Sequence, residues 1–294
     1  MNIVCVGEVL WDVFDQAEHL GGAALNFAAH AHVLGHNVSF ISAIGEDKRG
    51  ERVLTRMKEM GLSTRYIHKV KDYETGIVTV NLDSQGQPHF VLHRPAAYDF
   101  PELPSADLDD LKSQKPDCLY YGTLFQMSEQ AKALTLKLLE SFSGARRFYD
   151  VNLRVGNYTP SLVRELMERA TVVKLNDQEA SAVEQMFGQP HHSLEKFCRR
   201  VAADFGLEAV CVTRGAEGCA LLSGNDYVEA PGYRVEVADT VGAGDAFAAA
   251  FVHGLSCRWS PAQTADFANR VGALVASRNG GTPPWSLDEA MALS

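Results

Sequence analysis

Two hydrophobic rhythms divide the chain. Short, almost unbroken apolar runs recur at residues 1–7, 37–44, 117–121, 147–151, 171–175 and 208–213. Each has the length of a strand, and the lack of polar alternation marks a strand buried on both faces. Between these runs lie segments with helical spacing. An Ala-rich stretch from Gly21 ends at Gly35, a residue suited to a helix C-terminus. Leu54, Met57 and Met60 recur at intervals of three, and Phe247, Ala250, Phe251 and Gly254 at i, i+3, i+4 and i+7, so both segments predict helices packed on a core. Helices are also expected over 128–142 with Ser128 as N-cap, over 193–205, and from Ser260-Pro261 onward, where Ala265, Ala268, Gly272 and Val275 permit close packing. Buried strands alternating with helices predict an α/β fold: a doubly wound, mostly parallel sheet flanked by helices.

One region breaks the alternation. From residue 66 to 100 strands follow one another without helices: 75–82 alternates apolar and polar positions, and 89–93 follows the turn Ser84-Gln85-Gly86-Gln87. Residues 227–237 predict further short strands. A β-only insertion in an α/β chain implies a small sheet standing off the main body. The chain therefore reads as one domain over 1–294, with a small β-sheet inserted at about residues 12–20 and 66–100.

Composition narrows the classes of function. The 294 residues carry a formal net charge of −10, which argues against nonspecific nucleic-acid binding. No apolar run is long enough to span a bilayer, and the N-terminus has no basic region leading into a signal-like stretch, so no membrane partner is expected. Six cysteines at 5, 118, 198, 211, 219 and 257 show no C-x-x-C spacing and read as free thiols in a reducing, cytoplasmic compartment.

The densest chemistry lies in Asp239-Thr240-Val241-Gly242-Ala243-Gly244-Asp245-Ala246-Phe247. A Gly-Ala-Gly turn ahead of a helix leaves backbone N–H groups bare at the positive end of the helix dipole, a natural anion site. Asp245 falls in the first turn of that helix. Taken alone, the pattern also suits an ordinary helix start, since Asp favours the first turn. Beside an anion hole, however, a carboxylate has a use in phosphoryl transfer: it can take the proton of an attacking hydroxyl. Asp12 follows the first strand, and Asn26 falls early in the Ala-rich helix that Gly21 and Gly22 open. Both could face a crevice at the carboxyl ends of parallel strands, although a loop Asp and a solvent-facing Asn are the plain alternatives. Asp150-Val151-Asn152-Leu153-Arg154 would put three polar side chains on one side of an extended segment. Asn176 reads equally well as a helix cap.

In this order the motifs resemble the ribokinase/PfkB family of sugar kinases, and the resemblance covers nearly the whole chain. The segment 239–247 looks like the family's second signature, and Gly21-Gly22-Ala23-Ala24-Leu25-Asn26 like its first. In the family, the Asn and the upstream Asp hold sugar hydroxyls. The resemblance thus implies Asp245 as catalytic base, with Gly242, Ala243 and Gly244 stabilising the transferring phosphoryl. It implies Asp12, Gly22, Asn26, Arg94 and Arg154 at the sugar, although Arg94 also reads as a surface residue. Asn176, Thr213, Gly215, Gly242, Gly244 and Asn269 are implied at the nucleotide, with Glu179 organising magnesium from its second coordination sphere. Asp239 and the Val241 carbonyl are implied ligands of a monovalent cation such as K⁺, with carbonyls from the loop 277–284. ATP and Mg²⁺ are the implied cofactors, and the inserted sheet is by the same resemblance a β lid over the sugar and a homodimer contact.

Gly-Gly-Ala-Ala and Arg94-Pro95-Ala96-Ala97 resemble the fructokinase branch, because a ribokinase would usually show Gly-Gly-Lys-Gly. Asp150-x-Asn152-x-Arg154 resembles a motif of fructokinases and ketodeoxygluconate kinases, with Val151 standing where the pattern has Pro. Absences agree: the sequence contains no Gly-Lys dipeptide, hence no Walker A loop, and no His-Arg-Asp. The expected activity is transfer of the γ-phosphoryl of ATP to a hydroxyl of a small monosaccharide, fructose first. 2-Keto-3-deoxygluconate kinase, or another sugar or nucleoside kinase of the family, is the alternative. A non-catalytic sugar or nucleotide sensor is the reading from a different class, against which the intact Asp245 argues.

Overall fold

The computed structural model describes residues 1–14, 17–82, 88–188 and 193–293. Its strands are β1 (Asn2–Val6), β2 (Leu10–Val13), β3 (Glu18–Gly21), β4 (Asn37–Gly45), β5 (Ile67–Val70), β6 (Gly76–Leu82), β7 (Pro88–Leu92), β8 (Cys118–Gly122), β9 (Arg146–Asp150), β10 (Val172–Asn176), β11 (Ala209–Thr213), β12 (Cys219–Ser223) and β13 (Asp226–Ala230). The helices are α1 (Ala23–Val33), α2 (Lys48–Glu59), α3 (Ser105–Ser113), α4 (Glu129–Ser141), α5 (Pro160–Arg169), α6 (Asp177–Phe187), α7 (Leu194–Phe205), α8 (Ala243–Ser256), α9 (Pro261–Ala276) and α10 (Leu287–Ala292).

Nine strands form the main sheet in the order β13-β12-β11-β10-β9-β8-β1-β4-β5. From β11 to β5 all neighbours run parallel, and β12 and β13 add an antiparallel edge. The continuous apolar runs are explained by burial on both faces. Ile3, Cys5, Tyr120 and Cys211 pack on one side with α1, α8 and α9, whereas Val4, Val6, Tyr121 and Val212 pack on the other with α4, α5 and α7. The strand order reverses at β1, which has β4 on one side and β8 on the other. In an open α/β sheet, ligands bind at the carboxyl ends of strands beside such a reversal.

Several helix ends were encoded locally. Ser128 caps α4 through Ala131 N, and Ser260 caps α9 in a reciprocal arrangement with Gln263. Asn176 and Glu179 form the same box at the start of α6.

The small sheet has the order β3-β2-β6-β7, with β2 and β6 parallel and the outer pairs antiparallel. Two sequence expectations need correcting. Residues 67–70 do not join this sheet: β5 pairs with β4 in the main sheet, Ser42 opposite Ile67. Strand structure after residue 227 ends at Ala230, and 231–241 is irregular. The expected turn at 84–87 lies outside the described residues.

Candidate active site

Helix α8 starts from Gly242, whose φ of 77° is left-handed and whose place a Cβ could not share with the Gly281 carbonyl oxygen. No side chain caps α8, although α2, α4, α5, α6, α7, α9 and α10 all have side-chain caps. This open N-terminus lies at the crevice, next to three groups supplied by distant elements. Asn26 of α1 donates from Nδ2 to Asp245 Oδ2 at 2.9 Å. Gly281, from the loop after α9, lies against both Asn26 and Gly242. Lys174 of β10 lies alongside Gly244, its Nζ 3.3 Å from where a Gly244 Cβ would stand.

Asp245 has its pKa raised to about 7, first by loss of water and then by repulsion from Asp150; Lys174, the Asn26 amide and Arg154 pull it back down. The carboxyl is thus poised near neutrality, as a general base working at neutral pH requires. Lys174 is the residue that sequence reasoning missed. Its ammonium meets Asp150 at 3.1 and 3.2 Å, both groups are buried, and Tyr120 donates its hydroxyl to Asp150 Oδ2 at 3.1 Å. The signal was available: a lysine inside the apolar run Thr-Val-Val-Lys-Leu needs a buried partner. Glu8 was also missed. It accepts the Ala23 N–H at the start of α1, replacing the cap that Gly22 lacks, and burial raises its pKa.

Asp12 lies half-buried on β2, opposite His19, and its pKa is pushed up to about 6, chiefly by desolvation and against the pull of Arg154. Gly22 has a φ of 114°, and a Cβ there would overlap the Glu8 carbonyl, so only glycine lets α1 begin at this point. Asn26 is buried, and its Oδ1 has no hydrogen-bond partner among the described residues. Arg154 is exposed, yet close enough to act on Asp12, Glu8 and Asp245. Arg94 is engaged elsewhere: its guanidinium is paired with Asp99 and donates to the Leu124 carbonyl at 3.1 Å. The expected one-sided display of Asp150, Asn152 and Arg154 is corrected too. Strand β9 ends at Asp150 and Asn152 turns to a φ of 37°, so alternation stops.

Of the residues expected at the nucleotide, Thr213 ends β11 beside Asn176, and Gly215 has open space around its Cβ position. Asn176 Oδ1 accepts the Glu179 N–H at 2.8 Å, so the capping reading of this residue is realised. Both Glu179 oxygens accept backbone N–H groups, from Leu153 and Asn176, each at 2.9 Å. Asn269 donates to the carbonyls of Ala230 and Pro231 and ties α9 to the end of β13. Asp239 accepts Val241 N–H and Gly280 N–H, both at 3.0 Å, and joins the two loops that flank the turn. Ala243 N–H points to the Thr240 carbonyl at 3.3 Å. Among the described residues no cluster of three or more His, Cys, Asp or Glu could hold a metal, and no helix is long and apolar enough to cross a membrane.

The model of the pfkB family carbohydrate kinases matches residues 2–287. The chain belongs to that family. This kinase is 27% identical to a sugar kinase of Pyrococcus horikoshii over 97% of its own chain and 92% of the relative, and it superposes on the solved ATP complex of that uncharacterized enzyme with a TM-score of 0.83, covering 100% of both chains at 25% identity. It is 24% identical to fructokinase-1 of Oryza sativa subsp. japonica over 90% of this chain and 84% of the relative. The fructokinase of Xylella fastidiosa with bound ATP superposes with a TM-score of 0.87 at 23% identity, covering 99% and 97% of the two chains. The kinase is therefore a sugar phosphotransferase with a ribokinase-like fold and a fructokinase-like sequence.

Proposed function

We propose that this kinase phosphorylates a neutral monosaccharide, fructose first, with Asp245 as the base. The observation that carries the reading is the Asn26–Asp245 pair: a carboxyl poised near neutrality beside a buried amide whose Oδ1 lacks a partner. An orphaned buried acceptor costs stability unless a ligand donates to it, and a sugar hydroxyl is such a donor. Asp245 takes the proton of the attacking hydroxyl as bond formation advances. Asn26 holds that carboxylate and the sugar together, and Asp12 receives a further hydroxyl. The uncapped N–H groups at Gly242 and Gly244 receive charge developing on the phosphoryl oxygens, and the Lys174 ammonium balances the negative charge gathered there.

The balance of charge favours a neutral substrate. Burial raises the pKa of Glu8, Asp12 and Asp245; Arg154 acts on all three, whereas Arg94 is ion-paired with Asp99 and Lys174 with Asp150. A sugar acid such as 2-keto-3-deoxygluconate would have to rely on Arg154, and that is the second reading. Magnesium bound with the nucleotide would neutralise phosphate charge. Glu179, with both oxygens engaged by backbone N–H groups, suits an outer position that orders water around the ion. Asp239 and the Val241 carbonyl are the proposed monovalent-cation ligands, and Asn176, Thr213, Gly215 and Asn269 are proposed to frame the nucleotide. The small sheet is proposed as the sugar's cover and as a dimer contact.

ATP consumption across fructose, ribose, ketodeoxygluconate, fructose 6-phosphate and nucleosides tests the reading. Fructose should give the highest kcat/KM. Turnover with ketodeoxygluconate and none with fructose would overturn it.

A further inference from the structure

We infer that His30 is a positioning residue of the phosphoryl-transfer site, acting through the Gly281 carbonyl on both the Asp245–Asn26 pair and the Gly242 turn. His30 is buried in α1, one turn beyond Asn26. Trp285 donates its indole N–H to His30 Nδ1 at 2.9 Å. That assigns the proton of a neutral imidazole to Nε2, which donates to the Gly281 carbonyl at 3.0 Å. Burial holds the ring neutral, with a pKa lowered to about 4, so the arrangement persists at working pH.

The position of the accepting carbonyl gives the relay its consequence. The same Gly281 oxygen lies against Gly242, the residue from which α8 starts. On its other side Gly281 meets Asn26, where a Cβ would stand 2.9 Å from Nδ2 and 3.1 Å from Oδ1. The Gly281 peptide is thus wedged between the turn proposed to receive the phosphoryl and the amide that holds the base. Asp239 restrains the same loop through Gly280 N–H. If packing alone mattered, an apolar side chain at position 30 would serve, without the cost of burying an imidazole. The imidazole adds direction: a hydrogen bond to one carbonyl, with its tautomer set by a second buried donor.

The effect should appear mainly in kcat and spare the KM for ATP, because a displaced Gly281 disturbs the base and the phosphoryl turn, whose interactions strengthen in the transition state. Four variants test this on whichever sugar the wild-type enzyme phosphorylates, so the comparison stands apart from the choice of fructose. His30→Leu fills the space without a donor. It should remain folded by circular dichroism, with a cooperative melt, while kcat falls about 10- to 100-fold and the KM for ATP stays near wild type. His30→Gln, whose amide N–H can reach the carbonyl, should regain most of that loss. Trp285→Phe frees the tautomer and should lower kcat in the same direction, with the Leu–Phe double variant no slower than His30→Leu alone. Nitrogen-15 NMR of the wild-type ring should show an Nε2–H tautomer that persists down to pH 5.5, whether or not any sugar is turned over. Wild-type kcat in His30→Leu would overturn the assignment, as would an Nδ1–H tautomer or a Gln variant as slow as Leu.

Discussion

Replacing Asn26 by Leu should move the pH dependence of catalysis in a calculable way. Asn26 donates to the charged form of Asp245, and a hydrogen bond to a charged group contributes about 1.5–3 kcal/mol. Because one pKa unit corresponds to about 1.4 kcal/mol, losing that bond should raise the Asp245 pKa by about 1–2 units from its value near 7. At pH 7 the ionised fraction would drop from about a half to between about 1% and 10%, so kcat/KM should fall about 5- to 50-fold. Part of the activity should recover toward pH 9, and the remainder should stay lost with the sugar hydrogen bond to Oδ1. Leucine shares the branched shape of asparagine, although its methyl groups are bulkier, and it also removes the orphaned Oδ1, so the fold should tolerate it. The assay is ADP release between pH 5.5 and 9.5, at concentrations of both substrates well below KM so that the groups of the free enzyme are read. Wild type should show an acidic limb near pH 7 and the variant a limb displaced upward. An unchanged limb position would refute the reasoning, because Asp245 would then be titrating independently of its neighbour or would not be the group observed.

Asp245→Asn should cut turnover by about 10²- to 10⁴-fold. Folding raises the pKa of this carboxyl, so its stabilising contribution is complete below about pH 4 and is lost as pH rises toward 7. The Asn variant should therefore be more stable than wild type at pH 8, by about 1–2 kcal/mol after discounting for exposure to the crevice, and show little gain at pH 4.5, as urea midpoints would report. Asp12→Ala should weaken sugar binding by about 1–3 kcal/mol and leave ATP affinity nearly unchanged in calorimetry; equal losses would make Asp12 a support of the fold. Arg154→Met should cost about 1–2 kcal/mol in kcat/KM on a neutral sugar, against about 3–5 kcal/mol if the true substrate is an acid. Lys174→Met should destabilise by about 3–5 kcal/mol in urea melts, since Asp150 would be left buried without its cation, and Lys174→Met with Asp150→Leu should regain much of that stability without restoring turnover.

Most of the fold was legible in the sequence because its signals are short-range. Unbroken apolar runs marked the strands of a sheet covered on both faces, and Ser128, Ser260 and Asn176 marked helix starts through bonds within three residues. The glycines around Asp245 announced an open helix N-terminus for the same reason: backbone freedom is a local property. What only the tertiary structure decided concerns partners far apart in the chain. Ile67–Val70 has a strand's composition, but its place beside β4 depended on where the chain returned. Arg94 looked available until Asp99 was seen to neutralise it, and the role of Lys174 emerged only when Asp150 was found opposite it on β9. Asn26 and Asp245 are 219 residues apart, and His30 and Trp285 are 255 apart. Such pairs arise from the order of strands in the sheet, which hydrophobic periodicity does not encode. Burial in a low-dielectric interior then makes each pairing far more consequential than the same side chains would be in water.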